Sequence, residues 1–275
     1  IMEALLSEQG NGLPGMALGG LIELMTVVFF SALRVGAFLL ASPFFGAQSI
    51  PIQVRIVTAM VLSIVFFGQI DPSPILNAGL LDLTKVIFVE LFAGLCMGLF
   101  LSILFASVAL AGEKIAASGG LGFAAQVDPN TGGQTPVISN ILTLFLVVTF
   151  LSLDGHLALI RAISQSYVFL PFGGNIPIIS ASEYGIDAAG QMFHIATVIM
   201  LPIVALLLLT NFAIGVITRS APQLNLFSFG FPMTLMVVFV ALYSFATPLG
   251  YAMQEVSEFS LDFVAGFLTE LANGQ

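Results

Sequence analysis

The sequence predicts an all-α protein built of hydrophobic helical hairpins, and three observations carry that prediction. Its 275 residues are 58% hydrophobic and only 8% charged, with a mean hydropathy of +1.09, whereas soluble domains average roughly 25% charged residues. Apolar runs at about 21–41, 51–70, 83–111, 193–217 and 229–253 each reach the ~20 residues a helix needs to cross hydrocarbon. Prolines stand at most junctions, at Pro43, Pro51, Pro72, Pro74, Pro129, Pro136, Pro171, Pro177, Pro222 and Pro232. Each blocks helix continuation and biases the preceding residue to extended geometry.

The first three runs are not clean lipid-facing spans. Arg34 stands mid-run in FFSALRVGAFLL, Arg55 near the start of PIQVRIVTAMVLSIVFF, and Glu90 in KVIFVELFAGLCMGLF. An ionisable group at a bilayer centre costs at least about 2.5–3.5 kcal/mol, so such groups face protein or water. Arg34 or Arg55 is expected to pair with a carboxylate or with helix-end carbonyls inside the bundle; a direct transport or gating role is the alternative. Gly94 and Gly98 form a GxxxG pair continued by Ser102 and Ala106, a ridge that lets helix backbones approach closely.

The run at 137–153 falls short of a span, and 156–170 extends it after a break at SLDGH, where Asp154 is a candidate cap for the following helix. In that second piece Leu157, Ile160, Ile163, Tyr167 and Leu170 fall on one helical face, and Arg161, Ser164 and Gln165 on another. A helix packed on protein with one polar stripe is expected. The loop at 171–189 is the best boundary, dividing the chain into an N-terminal bulk, 1–180, and a C-terminal hairpin, 181–275. His194 opens the next run, which also holds Pro202 and Asn211.

Between the third and fourth runs lies AGEKIAASGGLGFAAQVDPNTGGQTP, residues 111–136. Its six glycines make it a poor helix former throughout, and unpaired backbone is not tolerated in hydrocarbon. It must sit in water, line a cavity, or be buried against protein. Gly119, Gly120 and Gly122 surround Leu121 and Phe123, so flexible backbone presents apolar side chains. Such a piece can fill a channel and later move aside; an ordinary inter-helix loop is the other reading.

Several function classes are excluded. A net charge of −9 with six basic residues cannot neutralise nucleic-acid phosphates. Lys114 and Arg219 would share one side and Lys85 the other, which leaves membrane orientation unset. Cys96 is the single cysteine; it allows no internal disulfide and reads as a buried, inert thiol. The first twenty residues carry Glu3 and Glu8 and no basic region, against a cleavable signal peptide. His156 and His194 lack metal spacing, no phosphate-binding or hydrolase motif occurs, and neither a metal nor a cofactor is expected. His156, in a DGH turn, reads as a structural hydrogen-bonder.

Four blocks together resemble the FliR/SctT family of type III secretion. RVGAFLLASPFFGAQSIPIQVR (34–55) is similar to its N-terminal signature. GEKIAASGGLGFAAQVDPNTGGQTPVIS (112–139) is similar to its central motif, in which a Gly-rich turn leads into Asp128-Pro129. FLSLDGHLALIRAISQSYVFLP (150–171) resembles its Gly-His block, and GVITRSAPQLNLFSFGFP (215–232) carries Arg219, Pro222, Gln223 and Asn225 of its Arg-x-x-Pro-Gln-Leu-Asn motif. The blocks occur in the expected order over most of the chain. Two departures stand out: Asp154 where the family more often has asparagine, and Ala116 in place of a frequent glycine, with Gly119 adding one.

The resemblance implies a core export-gate subunit, a FliP-like unit fused to a FliQ-like hairpin, assembled with several copies of FliP and FliQ and with FlhB and FlhA as further partners. It implies a helical cone in the bacterial inner membrane at the flagellar basal body, raised largely out of the bilayer, that passes unfolded flagellar proteins. Ser118, Gly119, Gly120, Leu121, Gly122, Phe123 and Ala124 would form its plug. Arg34, Arg55, Glu90, Asp128, Pro129, His156, Arg219, Pro222, Gln223 and Asn225 would serve structure and assembly. The rival reading is a secondary transporter whose midplane site uses Arg34 and Glu90.

Overall fold

The computed structural model describes residues 18–47, 50–76, 78–120, 137–175, 178–221 and 229–273. Among them run nine α-helices and no strand. They are α1 (Leu18–Ala41), α2 (Ile52–Phe66), α3 (Ser73–Leu76), α4 (Leu80–Ser118), α5 (Val137–Ser152), α6 (Gly155–Phe169), α7 (Ile178–Ser220), α8 (Phe231–Ser244) and α9 (Ala246–Asn273), with a 3₁₀ turn at Phe67–Gln69. The expected all-α hydrophobic fold is what forms. Among the described residues four helices are long and apolar enough to cross a membrane, or up to six if each broken pair, α5 with α6 and α8 with α9, counts as one span.

Two helices are far longer than a bilayer requires. α4 has 39 residues and α7 has 43; at 1.5 Å per residue each is roughly 60 Å long, about twice a 30 Å hydrocarbon core. The N-terminal part of α7 carries Glu183, Asp187, Gln191 and His194. Hydropathy marks only the apolar part of each rod.

Three expectations are corrected. The glycine-rich stretch is helical over its first eight residues, since α4 runs on to Ser118. Glu113, Lys114, Ile115, Ala116 and Ala117 favour helix, Ile115 and Ala116 are buried, and packing overrides the lone Gly112. The supposed loop at 171–189 is mostly helix, because α7 begins at Ile178. Asp154 is a left-handed break (φ 54°) rather than a cap, and its carboxylate takes no hydrogen bond among the described residues. Asparagine and aspartate both tolerate that conformation, which explains how either can stand before Gly155. Gly155 itself is confined by Phe150, whose ring would lie 2.4 Å from any added Cβ.

The chain divides into two compact units, one from 1–102, 156–187 and 261–275, the other from 103–155 and 188–260. In the first, the small-residue ridge of α4 lies directly on α1. A Cβ at Gly94 would stand 2.2 Å from the Arg34 carbonyl oxygen, and one at Gly98 would stand 2.6 Å from the Ala41 Cβ. One turn on, the Ser102 hydroxyl donates to the Ala41 carbonyl at 2.5 Å. Phe100 packs edge-on against Phe267 with centroids 4.9 Å apart, and Tyr184 and Phe263 complete the aromatic cluster. Cys96 is a buried free thiol.

In the second unit Gly112 lets α4 meet α5, since an added Cβ would lie 2.5 Å from the Ser139 Cα. Ser139 Oγ donates to the Ala109 carbonyl at 2.9 Å, and Phe105 packs edge-on against Phe150 at 5.3 Å. α8 and α9 meet at a 64° bend at Phe245.

Candidate functional site

Two constructions stand out. The first is the end of α4, the root of the glycine-rich segment. A helix leaves its last four carbonyls without intrahelical partners. Here the Gly119 amide donates to the Ile115 carbonyl at 2.9 Å and the Gly120 amide to the Ala117 carbonyl at 3.1 Å. Gly120 has φ +78°, the left-handed turn that ends helices and that glycine adopts without strain. The Ser118 carbonyl is taken from outside: Asn211, in α7, donates its side-chain amide at 3.0 Å. Gly119 is required by closeness, because an added Cβ would stand 2.6 Å from Val238 Cγ2 in α8, and Val238 is buried. Gly120 has ordinary room against the Phe231 ring. The two glycines thus do different jobs, one allowing contact and the other turning the chain. Leu121, Gly122, Phe123, Ala124, Asp128 and Pro129 lie outside the described residues.

The second construction is a sealed charge cluster within the first unit. Arg34 and Glu90 both have 0% side-chain exposure. Arg34 Nε and Nη2 donate to the two Glu90 carboxylate oxygens, each at 2.8 Å, the bidentate fork that a planar guanidinium favours. Nη1 donates to the Ser166 carbonyl at 2.8 Å and to Ser166 Oγ at 3.1 Å, and Nη2 to the Leu170 carbonyl at 2.8 Å. All five donors are satisfied. The guanidinium carbon lies 4.2 Å from the Tyr167 ring centroid, a cation–π distance, and the Tyr167 hydroxyl donates to the Ser31 carbonyl at 2.9 Å. The expected partners were a carboxylate or helix-end carbonyls; Arg34 has both. Ser166 and Ser31 were not foreseen, since a serine in an apolar helix carries no mark of its partner.

The remaining site residues stand apart. Arg55 Nη2 lies within hydrogen-bond distance of the Gly46, Ala47 and Ile50 carbonyls, at 3.2, 2.6 and 3.0 Å, and so gathers the turn before α2. Its Nε is buried with no partner among the described residues, as is His156 Nδ1. Arg219 is exposed in the last turn of α7, where a cation suits the helix dipole. Pro222, Gln223 and Asn225 lie outside the described residues. Asn211 was visible in the sequence as a polar break in LLLLTNFAIGV, but its partner was not. Among the described residues no three His, Cys, Asp or Glu side chains gather as a metal site.

Arg34 and Glu90 spend their hydrogen bonds on each other and on nearby carbonyls, and the apolar rods around them make the class a helical membrane protein. The family follows from comparison with known proteins. The model of bacterial export proteins, family 1, matches residues 25–259, and the chain belongs to that family. The flagellar biosynthetic protein FliR of Pectobacterium carotovorum is 32% identical over 259 residues, 92% of this chain and 97% of that protein. The proteins of the same name from Escherichia coli and Bacillus subtilis are 31% and 30% identical, covering 78% and 82% of this chain and 81% and 88% of their own lengths.

Proposed function

We propose that this chain is a core subunit of the flagellar type III export gate in the bacterial inner membrane. With FliP and FliQ in several copies, and with FlhB and FlhA as further partners, it forms the channel for unfolded flagellar proteins. The observation that carries this reading is the family match over 25–259. The lengths of α4 and α7 support it, since rods of roughly 60 Å suit an assembly raised out of the bilayer better than one lying within it. On this reading residues 1–180 are the FliP-like unit and 181–275 the FliQ-like hairpin, a division by sequence likeness that differs in kind from the two compact units. The segment Ser118 to Ala124 is the plug, rooted at Gly119 and Gly120 and tied through Ser118 to Asn211. Arg219, Gln223 and Asn225 fix a hairpin corner against FliQ or FlhB.

The transporter reading is disfavoured by Arg34 and Glu90, which satisfy each other and nearby carbonyls out of solvent. The test is co-purification. The chain should come out of membranes with FliP and FliQ and show no solute uptake alone in liposomes. Uptake by the lone chain, without such partners, would overturn the proposal. For the plug, deleting residues 119–123 should let ions or small solutes leak through the assembled gate, and a tight, secretion-competent deletion would refute it.

A further inference from the structure

α7 carries two apolar seams, and among the described residues only one of them is covered. On its inner side Ala196, Ile203, Leu207 and Ile214 are buried. Beginning two positions on, about 200° round the helix, runs a second line: Val198, Leu201, Ala205, Leu208, Phe212 and Gly215. These residues advance by three, four, three, four and three, the 3.5-residue period of a supercoiling helix pair. All six are exposed. A helix with a single packed face is polar on the side opposite it. Here that side is apolar for about 27 Å at 1.5 Å per residue.

Three features say what covers it. The period fits a second helix, which also satisfies its own backbone hydrogen bonds where water is excluded. Gly215 costs α7 about 1 kcal/mol relative to alanine, yet among the described residues nothing lies within 4 Å of its missing Cβ. Gly94, Gly98 and Gly112 also stand inside a helix, and there an added Cβ would meet the facing helix at 2.2, 2.6 and 2.5 Å. Gly215 is therefore a contact glycine whose contact lies outside this chain, since small residues let helix backbones approach closely. Arg219, four positions further along the same line, is exposed in the last turn and makes no ion pair among the described residues. Covering the seam takes this guanidinium out of water, which requires a carboxylate opposite it.

We propose that the outer seam of α7 receives one helix of a partner protein. The apolar residues of that helix, spaced by three and four, seat between Val198, Leu201, Leu208 and Phe212. Its backbone lies against Gly215, and it carries a carboxylate placed to meet Arg219. The inference deepens the export-gate reading and rests on it for the assembly in which the helix is met.

The test is photo-crosslinking of the full chain in native membranes, with benzoylphenylalanine in place of Val198, Leu201, Ala205, Leu208 or Phe212, one at a time. Adducts should fall on one partner protein, at residues that advance by three or four along a single helix. Adducts scattered over loops or over several proteins, or no protein adduct at all, would overturn the proposal. Gly215→Leu separates the seam from the fold. Alone in detergent this variant should melt no lower than the unaltered chain, because leucine favours helix over glycine. Its recovery with FliP and FliQ should nonetheless fall by roughly tenfold, the scale of an overpacked contact. Arg219→Glu should lower that recovery by roughly tenfold as well, and Arg219→Lys should retain most of it. Undiminished recovery of Gly215→Leu would overturn the seam and leave the export-gate reading standing. An unaltered chain that brings neither FliP nor FliQ with it would overturn that reading, and the crosslinks in membranes would still decide the seam.

Discussion

Arg34 illustrates how a charge can be held inside an apolar bundle. Taking a guanidinium and a carboxylate out of water costs several kcal/mol per ion, which pairing offsets only when the geometry is excellent and the remaining donors are met. Here the fork onto Glu90 leaves three donors, and Ser166 in the last turn of α6 and Leu170 just after it supply acceptors for them. Removing one partner should therefore be severe. Arg34→Met or Glu90→Gln is expected to destabilise the purified chain by about 3–5 kcal/mol, read as a lowered melting temperature in detergent. The double variant Arg34→Met with Glu90→Met should recover part of the loss but not all, because the Leu170 carbonyl loses its donor, at about 1–3 kcal/mol for a group left unsatisfied, while the Ser166 carbonyl keeps the Leu170 amide at 2.8 Å. Arg34→Lys should behave more like the single losses, as an ammonium has three donors and no fork. A double variant no better than either single would mean that the pair contributes through packing rather than charge.

At the scale of elements, the close approach of α1 and α4 was legible from spacing alone. Gly94, Gly98 and Ser102 recur every four residues, and the structure places all three on α1. Gly94→Ala should push the helices apart against backbone that cannot yield, at roughly 1–3 kcal/mol, and should disturb the Arg34 cluster with it. Gly215→Ala is the matched control. Nothing lies within 4 Å of its added methyl, so helix propensity alone should stabilise α7 by about 1 kcal/mol, and a thermal shift in the same direction as Gly94→Ala would contradict this account. The face of α6 was legible only in part: Ile163, Tyr167 and Leu170 are buried as their period requires, but Leu157 is 43% exposed and Leu159 takes its place. The turn at Gly155 redirects the first residues of the helix, and periodicity carries no information about that entry. Helix ends were the least legible. Composition marked residues 111–136 as non-helical, yet glycine count cannot show that Gly112 lies against Ser139, where its missing side chain is an asset. The tie between Asn211 and Ser118 spans 93 positions and has no local signature at all. Asn211→Leu should remove one hydrogen bond, about 0.5–1.5 kcal/mol, and leave the fold intact. If the segment after Ser118 is the plug, the same variant should raise solute leak through the assembled gate without lowering the yield of the chain.

For the whole molecule the unresolved physical demand is its surface. Monomeric soluble proteins seldom expose contiguous apolar patches of more than a few hundred Å², yet α2 presents Val57, Met60 and Val61, and α7 presents Leu201, Leu209 and Phe212, all at least half exposed. Lipid or neighbouring subunits must cover these residues, and the two covers can be separated chemically. The single native thiol, Cys96, is 9% exposed, so it should resist maleimides in the folded chain and give a silent background. Phe212, 74% exposed, and Met60, 50% exposed, can then be replaced by cysteine one at a time. In the isolated chain in detergent both should label readily with a membrane-permeant maleimide. If sister proteins are the principal cover, assembly with FliP and FliQ should slow labelling at one or both positions by at least tenfold, while Leu81→Cys, on an 84% exposed residue near the start of α4, reports how far the protection extends. Undiminished labelling at Phe212 and Met60 in the assembled complex would mean that sister proteins do not cover these two faces, and the long rods would then have to be read as tilted or protruding spans.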